Sequence, residues 1–129
     1  MAYKIILVDT SILIDYFRKT DKGNSVLVSL FDQGYDFTIS AITHYEIYSG
    51  ATTGQHPFWE NLLQKTSVLA FNQNVAQVAV DINNELKRKR KQIEIADLFI
   101  AATAIANDLL FATLNRRHFE RIERLIILE

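Results

Sequence analysis

The chain has 129 residues, enough for one domain with a sizeable core and no need of covalent staples. It contains no cysteine, which excludes disulfides, thiolate nucleophiles, zinc ribbons and iron–sulfur ligation and makes a reducing cytoplasm the expected location. Net charge is −1, so the molecule is no polycation, and any nucleic-acid role must rest on local patches such as Lys87-Arg88-Lys89-Arg90-Lys91 and Arg116-Arg117.

In chain order, Lys4 to Val8 reads as a buried parallel strand, because apolar residues run together without alternation. No basic leader is read ahead of it, and no stretch reaches the ~20 apolar residues of a membrane span. A short helix is predicted from Ser11 to Arg18, capped by Asp9 or Thr10. Lys22 and Gly23 lie in a turn, and Val26, Leu27, Leu30 and Phe31 recur at helical spacing until Gly34. Phe37 to Ser40 is a second strand and Ile42 to Ala51 a third helix. Pro57 suits the first turn of a helix running to Gln64, and Val68-Leu69-Ala70 a third strand. Val75, Val78, Ala79, Ile82 and Leu86 mark an amphipathic helix whose last turn carries the basic run. Asp97 to Asn107 is apolar nearly all round, hence central. Leu109 to Thr113 reads as a strand, Asn115 to Glu120 as a helical turn, and Leu125 to Leu128 as a closing strand. Strands alternating with helices imply a three-layer α/β domain: a parallel sheet of four to five strands with helices on both faces.

Such folds bind ligands beyond the carboxyl ends of their strands. Asp9 closes the first strand, Glu46 lies about a turn beyond the second, and Asp97 opens a helix that could point the same way. Unpaired carboxylates are costly in such places, and clustered ones raise each other's pKa. A shared hard cation, Mg²⁺ or Mn²⁺, removes that penalty and acidifies water for attack on phosphorus. Each acid also has a structural reading. Asp9 can simply cap its helix, Thr43-x-x-Glu46 matches a capping box, and Asp97 suits a positive helix end. Asn115 after Thr113-Leu114 likewise fits a cap.

Four blocks in order carry a family resemblance: Val8-Asp9-Thr10-Ser11; Ser40-x-x-Thr43-x-x-Glu46-Ile47-x-x-Gly50; Asp97-x-x-Ile100-Ala101-Ala102-x-Ala104; and Thr113-x-Asn115-x-x-His118-Phe119. Together they resemble the PIN-domain nucleases, most closely the VapC-type toxins of toxin–antitoxin pairs, over a single domain spanning residues 1–129. The resemblance implies a magnesium- or manganese-dependent endoribonuclease. Asp9, Glu46 and Asp97 take the catalytic, metal-binding positions, supported by the hydroxyls of Ser11 and Thr113. It further implies an RNA substrate, products with 5′-phosphate and 3′-hydroxyl ends, a cognate antitoxin and a homodimer. Many members carry a fourth acid where this chain has Asn115, which can orient water or phosphate but adds no charge. Arg116, Arg117 and Lys91 are the expected RNA-backbone contacts, and His118 is assigned to packing or hydrogen bonding. The alternative is a catalytically weak PIN-like module that binds RNA or acts as a scaffold.

Other chemistries fail on particular residues. A dehalogenase-type phosphatase needs a second aspartate where Ser11 stands, and a receiver domain needs an acid beside Asp9. Neither a G-x-S-x-G elbow nor a phosphate-binding glycine loop is present.

Overall fold

Ile6, Leu7 and Val8 are fully buried, as a strand covered on both faces of a sheet requires. In the computed structural model, which describes residues 3–129, they belong to β1 (Lys4–Val8). There follow α1 (Thr10–Arg18), α2 (Val26–Asp32), β2 (Tyr35–Ser40), α3 (Ala41–Gly50), α4 (His56–Leu63) and β3 (Val68–Leu69). The chain then continues through α5 (Gln73–Arg88), α6 (Ile95–Ala106), β4 (Phe111–Ala112) and α7 (Arg116–Phe119). The expected turn at Lys22 and Gly23 is a 3-10 turn over Lys22–Asn24.

Among the described residues the sheet has four strands in the order β3-β2-β1-β4, all parallel. Side chains alternate across it. Ile6 and Val8 pack with Leu13 of α1, Leu30 of α2 and Trp59 of α4, whereas Leu7 packs with α5 and α6 on the opposite face. Three layers result, as the alternating elements predict. In α5 the buried residues are the five expected from the helical period. Of these Val75, Ile82 and Leu86 each contribute roughly 1.5–3 kcal/mol as an upper estimate. The apolar α6 is central, with Ile100, Ala101, Ala102 and Ala104 essentially inaccessible.

The predicted closing strand is reduced to a single parallel bridge, Phe111 to Ile127. Phe111 donates its N–H to Ile126 O at 2.9 Å and accepts from Leu128 N at 2.8 Å, and pairing goes no further. Among the described residues no helix is long and apolar enough to cross a membrane.

The topology selects one place for a ligand. From β1 the chain moves outward to β2 and β3, then returns to set β4 against the other side of β1. Between β1 and β4 the winding direction therefore reverses, and the crevice beyond their carboxyl ends is open. Asp9 and Thr113 are the residues that follow these two strands.

Candidate active site

Asp9 is 3% exposed, and its carboxylate is held by groups from both sides of the crevice. As N-cap of α1 it accepts from Ile12 N at 3.4 Å and from the Ser11 hydroxyl at 2.5 Å, both on Oδ1. Thr113, at the end of β4, donates its hydroxyl to Oδ2 at 2.6 Å. Each hydroxyl also accepts a backbone N–H: Ser11 from Leu114 at 3.0 Å, Thr113 from Asn115 at 2.9 Å. These bonds tie the segment after β4 to the start of α1. They also fix the direction of both hydroxyl protons toward Asp9.

Glu46 is held differently. Its Oε1 accepts from the Thr10 hydroxyl at 2.6 Å. Thr10 and Thr43 hydroxyl oxygens lie 3.1 Å apart, and Ser40 and Thr43 oxygens 3.4 Å apart. Each hydroxyl has one proton, and an ionised carboxylate only accepts. Thr10 therefore donates to Glu46, Thr43 to Thr10, and Ser40 to Thr43, a relay running one way toward the carboxylate. The capping box expected from Thr43 and Glu46 is not formed. Ser40 is the N-cap of α3, accepting from Thr43 N at 3.0 Å, so Glu46 lies in the second turn, half-buried and available to the crevice.

Helix α6 begins at Ile95, ahead of its predicted start, so Asp97 stands within the first turn rather than opening it. The Asp97 side chain is 24% exposed, and His118 Nδ1 lies 3.6 Å from its Oδ2, too long for a hydrogen bond as placed but close enough to pair when charged. Asn115 occupies the N-cap position of α7, yet its side chain makes no capping bond. Its amide is exposed on the crevice instead.

Asp9, Glu46, Asp97 and Asn115 line one cleft of about 650 Å³ together with Thr10 and Ser11. Burial pushes the Asp9 carboxyl above its usual range against the pull of its hydrogen bonds, and the Asp97 charge pushes the same way. Asp97 is also raised, first by burial; His118 opposes the shift, while Glu46 and Glu94 add to it. Three acids from segments far apart in sequence thus share one field. Among the described residues, no group of three or more Asp, Glu or His is gathered tightly enough to cage an ion. The close convergence expected of three acids on one cation is therefore not seen. The all-oxygen donor set still fits a hard cation that keeps several waters and takes one or two carboxylates directly.

The structure moves several residues relative to expectation. Thr10, expected only as a cap, supports Glu46. Arg18 and Lys19, absent from the expected contacts, line the cleft. Their signal was the helical offset: Arg18 follows Ser11 by seven residues, two turns along the same face of α1. Conversely, Arg116 does not line the cleft. Its guanidinium turns to Leu128 O at 3.5 Å and Glu129 Oε1 at 3.4 Å. Lys91 and Arg117 meet in a second concavity with Arg90 and Arg121.

The raised Asp9 carboxyl sets a pH dependence. Between the ordinary aspartate value of ~3.9 and its raised folded value, the folded state holds the extra proton, so stability falls as pH rises through that window. A carboxamide in its place would mimic the neutral acid. In EDTA, the parent's melting temperature should fall relative to that of Asp9→Asn as pH rises through the window, on top of a constant offset from the hydrogen bond that the amide NH2 cannot accept. Thermal unfolding at several pH values reads this directly; a gap independent of pH would contradict it.

Comparison with known proteins identifies the family. Residues 6–125 match the model of the PIN domain. The chain is 33% identical over 121 residues to Ribonuclease VapC10 of Mycobacterium tuberculosis, covering 94% of this chain and 90% of that protein. It is also 33% identical over 119 residues to Ribonuclease VapC1 of Methanocaldococcus jannaschii, covering 92% and 81%. A solved structure of DNA-bound VapBC from Salmonella typhimurium superposes with a TM-score of 0.83 at 26% identity, covering 98% of this chain and 97% of that one.

Proposed function

The chain belongs to the PIN-domain family, and on that premise we propose that it is a divalent-metal-dependent endoribonuclease, the toxin of a toxin–antitoxin pair. The observation that carries the reading is the buried Asp9 carboxylate sharing a cleft with Glu46 and Asp97, its pKa driven up by burial and by Asp97. That is an arrangement a bound cation relieves.

Asp9 and Asp97, with Glu46 directly or through water, would hold Mg²⁺ or Mn²⁺. When bound, such an ion supplies neutralising charge and a lower pKa for the attacking water. The chain's own groups do the rest. Ser11 and Thr113 keep both Asp9 oxygens aimed, and Thr10 holds one Glu46 oxygen, leaving the other free for the cleft. The exposed Asn115 amide can donate to a phosphate oxygen or orient water without adding charge. Arg18, on the rim, supplies positive charge for the RNA backbone, whereas Lys19 lies 3.6 Å from Asp15, which lines the same cleft. By the resemblance to the family, the products carry a 5′-phosphate and a 3′-hydroxyl, the 3′ oxygen being the leaving group.

The VapBC complex among the solved structures similar to this chain supports an antitoxin partner; that this partner is encoded beside the chain, that the chain forms a homodimer and that it acts in the cytoplasm belong to the same proposal. The test is to incubate purified protein with structured RNAs in magnesium, manganese or EDTA and to identify the ends produced. Cleavage should need the metal and leave 5′-phosphates. RNA binding with no cleavage in either metal would favour the scaffold reading, and cleavage persisting in EDTA would reject the metal. Growth and total RNA, followed with and without the neighbouring reading frame, test the toxin assignment separately.

A further inference from the structure

We infer that Arg90, Lys91, Arg117 and Arg121 form a docking surface for the RNA phosphate backbone where it leaves the catalytic cleft. The inference rests on the ribonuclease reading above. The four cations line one concavity with a single acid, Glu120. Among the described residues none of them is in an ion pair, whereas their neighbour Lys89 is engaged by Glu85 at 3.1 Å and Glu123 at 2.6 Å. The basic run is thus divided by the fold: Lys89 is neutralised, and Arg90 and Lys91 are left free.

Backbone geometry supports the same assignment. Helix α5 ends with Arg90 N donating to Lys87 O at 3.1 Å and Lys91 N to Leu86 O at 2.9 Å, the bonds of a helix-terminating left-handed turn. The residue in that turn has φ +55 and is Arg90. Glycine adopts this conformation without cost, and arginine does not. Arg90 thus presents a charged side chain from a backbone conformation that favours glycine, as Asp108 does at φ +54 elsewhere in the fold. Arg121 Nη1 donates to Gln92 O at 3.2 Å and so anchors the loop beyond Arg90 to the end of α7.

Position links this surface to the cleft through two segments. Helix α7, only ~6 Å long, begins beside Asn115 in the cleft and carries Arg117 into the concavity. The loop after Arg90 leads into α6 and Asp97. Three guanidinium groups and one ammonium spread along one open concavity suit successive phosphates of a chain better than one small anion. A strand threaded through the cleft would meet it within a few nucleotides.

The experiment uses the full chain with Asp97→Asn to prevent cleavage, and follows binding of a single-stranded RNA by fluorescence anisotropy across a salt series. Introducing Arg90→Gly with Arg117→Ala should raise Kd on the order of tenfold at low salt and lower the slope of log Kd on log salt by about 1.4. Arg90→Gly alone should not lower the melting temperature, which separates lost contact from lost fold. The control, Lys4→Ala with Arg124→Ala, removes equal charge from another surface and should leave the slope unchanged. An unchanged slope in the first pair, or an equal loss in the control, overturns the proposal. So does polyglutamate binding that depends on Arg90 and Arg117 while RNA binding does not, which would assign the surface to an acidic polypeptide. RNA cleavage by the parent chain, measured alongside, fails only if the ribonuclease reading itself is wrong.

Discussion

Asp97→Asn should lower RNA cleavage on the order of a thousandfold, equivalent to about 4 kcal/mol of transition-state stabilisation. The substitution keeps shape and removes one charge. Asp97 sits in the first turn of α6, where its charge interacts favourably with the helix end, yet burial and the nearby Glu46 and Glu94 disfavour that charge. These effects oppose each other, so the melting temperature in EDTA should move by only a few degrees, ~1 kcal/mol at most. Cleavage, by contrast, depends on a cation whose charge an uncharged amide does not balance. Calorimetric titration of magnesium or manganese should show weakened binding in step with the rate. Adding EDTA to the variant should remove little further activity, because charge and ion act as one unit. Wild-type rates in the variant, confirmed on independently purified samples, would remove Asp97 from the chemistry.

The parts of this architecture that sequence exposed are those where one local signal had no competitor. The apolar run that Asp9 ends reads as a covered strand and is one from Ile6 to Val8, with Ile5 left exposed, and the apolar spacing of α5 fits one period. Asp9, Ser11 and Thr113 were legible because strand ends in a parallel sheet face one crevice, and the three are joined there directly. Competing signals defeated the reading elsewhere. Ser40-x-x-Thr43-x-x-Glu46 offers two overlapping N-cap candidates, Ser40 and Thr43, of which only the second is followed by a glutamate. The fold takes the first, because Ile39 is buried in β2 and α3 must begin immediately after Ser40. Leu125 to Leu128 has the apolar character of a strand, but only Phe111 is within pairing reach, and one residue makes a bridge. Arg116 and Arg117 look equivalent beside Asn115. A helix turns ~100° per residue, and they consequently face the C-terminus and the basic concavity respectively. Thr10 could not be recognised at all, since its partner lies 36 residues away on another helix.

Thr10→Val should reduce cleavage by roughly 10- to 100-fold, the usual cost of losing a group that orients a metal ligand. Valine preserves the branched shape at the first position of α1 and deletes only the hydroxyl. Glu46 Oε1 then loses its 2.6 Å donor, and the Thr43 hydroxyl loses the acceptor toward which it is directed. Stability should fall by about 1 kcal/mol, too little to unfold a domain of this size. Thr10→Ser restores the proton donor and should recover most of the rate, although serine fills the site less well. A purely structural Thr10 would behave otherwise: both variants would then shift the melting temperature without moving cleavage or magnesium affinity. The relay makes a further demand. Because Thr43 acts on Glu46 only through Thr10, Thr43→Val should add little in a Thr10→Val background, while costing activity alone. Additive losses in that double-mutant cycle would show two independent contacts, and the one-way relay would have to be abandoned.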